Sequence, residues 1–127
     1  PVHEEYIWHS DLKLETGRQI AQEFLKMDPR PTAIVSVNDM TSLGFIDVCR
    51  NTGLSIPGDL SIISFDDIPI ASLHGIQLTT VSQHAEEMGD KAAQLMIRRL
   101  EDPSREPERI ILKPLLMDRQ TTGPYNP

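Results

Sequence analysis

The sequence predicts an α/β fold in which a parallel sheet is covered by helices on both faces. Short β-branched apolar runs alternate with segments of helical periodicity, at a pitch that suits right-handed crossovers rather than hairpins. Two of the runs, TAIVSV (32–37) and LSIISF (60–65), have the apolar continuity of buried parallel strands.

Taken in order, EEYIWHS (4–10) reads as a short strand. TGRQIAQEFLKM (16–27) sets Ile20, Ala21, Phe24 and Leu25 at helical spacing and stops before Asp28-Pro29. TAIVSV is the second strand. DMTSLGFIDVCRNTG (39–53) carries Met40, Leu43, Gly44 and Val48 on one helical face and ends at Gly53, a good residue just past a helix C-terminus. SIPGD turns the chain into LSIISF, the third strand. A loop (66–77) leads to LTTV (78–81), a short extended segment. AEEMGDKAAQLMIRRLE (85–101) is the longest helix, with Met88, Ala92, Leu95 and Met96 as its apolar stripe. Beyond Pro103 and Pro107, RIILKPLLMDR (109–119) is strand-like, and Pro114 suggests an edge or a break. The tail TTGPYNP is expected to fray.

With 127 residues the chain suits one domain with a modest core. Twelve basic against nineteen acidic residues give a net charge of −7, which disfavours nucleic acid as a direct partner, since phosphate binding needs clustered Lys and Arg. The lone Cys49 rules out an internal disulfide and fits a reducing compartment. No apolar run approaches the roughly 18 residues that span a bilayer.

In an open parallel sheet, ligands bind beyond the carboxyl ends of the strands. Three loops qualify: Ser10-Asp11-Leu12, Asn38-Asp39 and Asp66-Asp67. Asn offers donors and an acceptor and Asp two acceptor oxygens, a set able to grip adjacent hydroxyls of a polyol. Asn38 or Asp39 equally suits the cap of the helix that follows, and Asp67 the cap of a short turn. On spacing alone, ligand binding and capping fit Asn38 and Asp66 equally. Catalysis is disfavoured: His3, His9, His74 and His84 lack metal-ligand spacing, no serine sits in a G-x-S-x-G elbow, and no Gly-rich phosphate loop follows a strand. No metal and no cofactor are expected.

RPTAIVSVNDMTSLGFIDVCRNTGLSIPGDLSIISFDDI (30–68), LTTVSQHAEEMGDKAAQLMIRRL (78–100) and LLMDRQTTG (115–123) together resemble the effector-binding core of LacI/GalR transcriptional regulators. The resemblance runs from about residue 6 to 123. Its most specific pieces are VND before a helix, IPGDLSIISFDD, LTTVSQ with EMG, and DRQTTG. It implies one lobe of a two-lobed type I periplasmic-binding-protein-like fold, its sheet flanked by helices. Residues 1–81 and 112–127 would form the C-terminal lobe, and 82–111 a crossover segment belonging to the N-terminal lobe.

The resemblance also implies a cytoplasmic repressor that binds a small polar effector, a sugar or sugar derivative. Such a repressor acts as a homodimer and reaches operator DNA through a helix-turn-helix head upstream of Pro1. Asn38 and Asp66 would hydrogen-bond the effector. Leu12 stands where the family usually carries an aromatic platform, a departure that removes face stacking on a sugar. Leu43, with the loop at Leu73 and His74, would lie at a two-fold interface. The rival with the same fold is a periplasmic sugar-binding protein of a transporter.

Overall fold

The computed structural model describes residues 3–124. Helix α1 (Leu14–Phe24) leads to strand β1 (Ala33–Val35), helix α2 (Asp39–Asn51) and strand β2 (Ser61–Asp66). A 3-10 turn (Pro69–Ser72) precedes strand β3 (Thr79–Ser82), helix α3 (Ala85–Glu101) and strand β4 (Leu115–Met117). The sheet order is β1-β2-β3-β4, with β1, β2 and β3 parallel and β4 antiparallel to β3. The expected helices and central strands are therefore present, each within a few residues of its sequence bounds.

Helices α1 and α2 touch backbone to backbone, because each contributes a glycine at the crossing. A methyl group on Gly17 would sit 2.0 Å from the Thr41 carbonyl oxygen, and one on Gly44 1.9 Å from that of Leu14. The close approach brings Phe24 and Phe45 to 5.2 Å between ring centroids, with Trp8 edge-on to Phe24 at 6.4 Å. Around them Ala21, Ile46, Cys49, Leu60, Ile62, Ala71 and Leu78 complete the core. Each large side chain buried there contributes about 1.5–3 kcal/mol. Gly53, at φ 86°, takes the left-handed position after α2, and its N–H donates to the Arg50 carbonyl at 3.0 Å.

Four expectations are corrected. EEYIWHS is not a strand: Glu4–Tyr6 form a 3-10 turn whose backbone bonds are local, from Tyr6 N–H to His3 and from Ile7 N–H to Glu4. A strand-like composition is not realised where the segment makes no ladder bonds to a strand. RIILKPLLMDR enters the sheet only after Pro114, which lacks the donor that a ladder needs.

Among the described residues, helices cover one face of the sheet and leave much of the other open. Ile62 and Ser64 are buried on the side of α2, whereas Val35 (85%), Phe65 (37%) and Leu116 (54%) remain exposed on the other. Helix α3 does not cover that face; it has no buried residue, and Met88 and Met96 of its stripe face solvent. Finally, the tail does not fray at its start. Thr121 is fully buried, accepts from the Thr79 N–H and donates to the Ile62 carbonyl, both at 2.8 Å. Residues 125–127 of that tail lie outside the described residues.

Candidate functional site

The register of the sheet aligns the candidate residues. Ala33 lies opposite Ser61 and Val35 opposite Ile63. Continued past the end of β1, the same offset sets Asn38 level with Asp66, and Asp66 in turn lies opposite Ser82. Leu12 joins the row because the Asn38 Nδ2 donates to its carbonyl at 3.0 Å. Asn38 and Asp66 thus stand along one rim, at the carboxyl ends of β1 and β2, with Leu12 beside Asn38 in a loop that follows no strand.

Asn38 is the cap of α2: its Oδ1 accepts from the Thr41 N–H at 3.0 Å. Capping leaves it one amide hydrogen and one lone pair, so the cap and a ligand are compatible on one side chain. Asp66 caps no helix. Its Oδ1 accepts from Gln83 Nε2 at 2.8 Å, and its Oδ2 accepts from no described residue. Leu12 is held at φ 67° with its N–H donated to Ser10 Oγ at 2.9 Å, and its side chain is half-exposed.

Asp39 and Asp67 are not caps. Asp39 is fully buried, and its carboxylate accepts from the Ile68 N–H at 2.9 Å and from Thr80 Oγ1 at 2.7 Å. It ties the start of α2 to β3 and to the turn after β2. As the first residue of α2, it also places negative charge where the helix dipole favours it. Asp67 turns away from Asp66 to pair with Arg119 at 2.6 Å, with both side chains mostly buried. Arg119 donates as well to the Leu78 carbonyl at 2.8 Å.

These contacts enforce an unusual backbone. Asp66 and Asp67 both lie in the left-handed region, at φ 124° and 61°. Non-glycine residues stay there only where their surroundings over-determine them. Arg119, Asp39 and Gln83 supply that constraint; the sequence placed Asp39 in a strand-end loop, but it pointed to neither Arg119 nor Gln83. For Gln83 a signal existed: it follows β3, and the strand-end rule applies to that loop as well as to the other three.

A cavity of about 720 Å³ lies beside this rim, between the unpaired edge of β1 and the segment that includes Tyr6 and Trp8, with Ile20, Val35, Val37 and Phe45 among its lining. Neither Asn38 nor Asp66 lines it, so the polar row and the apolar cavity are separate features. The proposed interface residues are less unified. Leu43 is half-buried, whereas Leu73 and His74 are exposed. Arg50, two turns beyond Leu43 on the same helix face, donates to the Gly75 carbonyl at 2.5 Å and draws that loop alongside α2. Among the described residues, no cluster of His, Cys, Asp and Glu could hold a metal ion, and no helix is long and apolar enough to cross a membrane.

The family of periplasmic binding protein-like domains matches residues 1–122. The chain is 36% identical to an arabinose metabolism transcriptional repressor of Geobacillus stearothermophilus, over 96% of this chain and 35% of that protein. A putative LacI transcriptional regulator from Bacillus cereus subsp. cytotoxis superposes with a TM-score of 0.91 at 28% identity, covering 99% of this chain and 45% of that one. A LacI family regulator from Enterococcus faecium, solved with bound ribose, gives 0.84 at 31% identity, covering 90% and 42%. The chain therefore spans little more than a third of the length of the curated relatives it matches.

Proposed function

The chain belongs to the periplasmic binding protein-like family, as part of the effector-binding domain of a LacI-type regulator, and on that premise we propose that it senses a polyol. The observation that carries the reading is the row of Asn38 and Asp66 at one strand-end rim, with Leu12 beside Asn38, unused acceptors on Asp66 and an unused donor on Asn38. Two carboxylate oxygens and an amide suit adjacent hydroxyls, and a site built this way rejects analogues that leave its buried polar groups unpaired. Leu12 supplies an apolar contact without a stacking face, which favours a small pentose-like ligand such as the ribose of the Enterococcus faecium neighbour.

Residues 1–81 and 112–127 are the C-terminal lobe in this reading, and 82–111 cross to an N-terminal lobe that covers the exposed stripe of α3. The effector closes the two lobes on each other and shifts the population of DNA-competent dimers in the cytoplasm. DNA contact falls to a helix-turn-helix head, in keeping with this chain's charge of −7. Leu43, Leu73 and His74 contribute to a two-fold homodimer contact. The regulator reading is preferred to a transport protein because the relatives are named as repressors.

The test is calorimetric titration of the intact regulator with D-ribose and other pentoses. Asp66→Ala weakens binding by about 2 kcal/mol or more, roughly thirtyfold in Kd, as expected for losing a charged hydrogen-bond partner. Unchanged affinity in a folded Asp66→Ala variant refutes the assignment.

A further inference from the structure

We propose that Ser10 and Thr41 are positioning residues of this site: their paired hydroxyls clamp Leu12 and so fix where the free amide hydrogen of Asn38 points. The proposal rests on the reading of Leu12 and Asn38 as effector ligands. Four hydrogen bonds close a ring between the loop before α1 and the first turn of α2. The Ser10 and Thr41 hydroxyls pair at 3.0 Å, and Ser10 Oγ also accepts from the Leu12 N–H at 2.9 Å. The Leu12 carbonyl accepts from Asn38 Nδ2 at 3.0 Å, and Asn38 Oδ1 accepts from the Thr41 N–H at 3.0 Å. Leu12 is thus tied to α2 at both its N–H and its C=O.

The ring explains a conformation that leucine does not adopt by itself. Leu12 lies at φ 67°, where a non-glycine residue stays only under constraint, and its side chain is 51% exposed. Hydrogen bonds rather than packing therefore supply the constraint. The consequence reaches Asn38, whose planar amide is pinned at two points. The cap to Thr41 decides which end is oxygen, and the bond to Leu12 decides where the nitrogen points. Without the clamp, Leu12 relaxes toward negative φ, its carbonyl turns away, and the amide swings about its remaining bond to Thr41. The cap survives, but the free amide hydrogen loses its fixed direction. Thr41 is buried, and Ser10 and Thr41 line the apolar cavity, which neither Leu12 nor Asn38 does. The hydroxyl pair therefore acts on the effector only through Leu12 and Asn38, as a determinant of which hydroxyl geometry the rim accepts.

The side-chain amide of Asn38, observed by NMR of the isotope-labelled intact regulator, reads the ring with no effector present. Ser10→Ala is expected to speed exchange of the Nδ2 hydrogens with water about tenfold, Thr41→Val to do the same, and the double variant to go no faster than either. Ser10→Thr, which keeps the hydroxyl, retains slow exchange, and thermal melts check that each variant is folded. Unchanged exchange in folded Ser10→Ala, additive effects of the single variants, or fast exchange in folded Ser10→Thr overturns the clamp. A purely local role for Ser10 would leave the Asn38 amide unmoved. Titration with D-ribose forms the second arm, with Ser10→Ala binding about tenfold more weakly than wild type. Equal affinity of the two overturns the positioning role. Absence of ribose binding by the wild type refutes ribose as effector, while the exchange data still decide the clamp.

Discussion

Asp39→Ala removes a carboxylate that water does not reach. Two donors lose their acceptor: the Ile68 N–H at 2.9 Å and the Thr80 hydroxyl at 2.7 Å. A hydrogen bond to a charged group is worth about 1.5–3 kcal/mol. Thr80 is also fully buried, so its hydroxyl has no water to turn to, whereas Ile68 is half-buried and recovers part of its loss. Removing the buried charge relieves its desolvation, which offsets some of the total. The net expectation is a loss of about 2–4 kcal/mol, a large share of the ~5–15 kcal/mol that stabilises a typical domain. With a urea dependence of about 1–3 kcal/mol per molar, the unfolding midpoint falls by roughly 1 M or more. Asp39→Asn keeps one acceptor and turns an amide NH₂ toward the other donor, so it falls between the wild type and the alanine variant. An Asp39→Ala protein within about 0.5 kcal/mol of wild type refutes the view that this residue anchors the turn presenting Asp66.

Gly44→Ala drives a methyl group into the Leu14 carbonyl at the helix crossing, and lowers stability by about 1–3 kcal/mol in thermal melts. Leu43→Arg converts the intact regulator from dimer to folded monomer in sedimentation if the α2 face is the two-fold contact; a dimeric variant moves the interface elsewhere. Asp11 provides a pH signature, since hydrogen bonds from Lys13 and Thr16 lower its pKa from 3.8 to about 2. A depressed folded value stabilises above the unfolded one, so this contribution is present above about pH 4 and fades as pH falls toward 2. Asp11→Asn therefore flattens the stability profile in that window, by a small amount because the group is exposed.

The sequence by itself determined the elements whose signals are local. Helical spacing in 16–27 and 39–53, the Gly53 stop and the apolar strands at 32–37 and 60–65 all survive in the fold, because side-chain periodicity and turn residues act over a few positions. The strand-end rule pointed to the loops holding Asn38 and Asp66, which follow β1 and end β2; Leu12, named through the resemblance, follows no strand and meets Asn38 through its carbonyl.

Only the tertiary structure decided which of these side chains does what. On spacing alone Asn38, Asp39, Asp66 and Asp67 left capping and ligand binding open, yet Asn38 caps α2, Asp39 is buried, Asp66 faces the rim and Asp67 pairs with Arg119, 52 positions away. Those roles depend on long-range partners that no local pattern encodes. The same reason accounts for EEYIWHS, whose composition favours a strand but which makes no ladder bonds to one, and for Thr121, a tail residue held by hydrogen bonds to β2 and β3. It also accounts for α3, whose apolar stripe is plain in the sequence while its burial is not, because a helix face is covered only by what the rest of the fold sets against it.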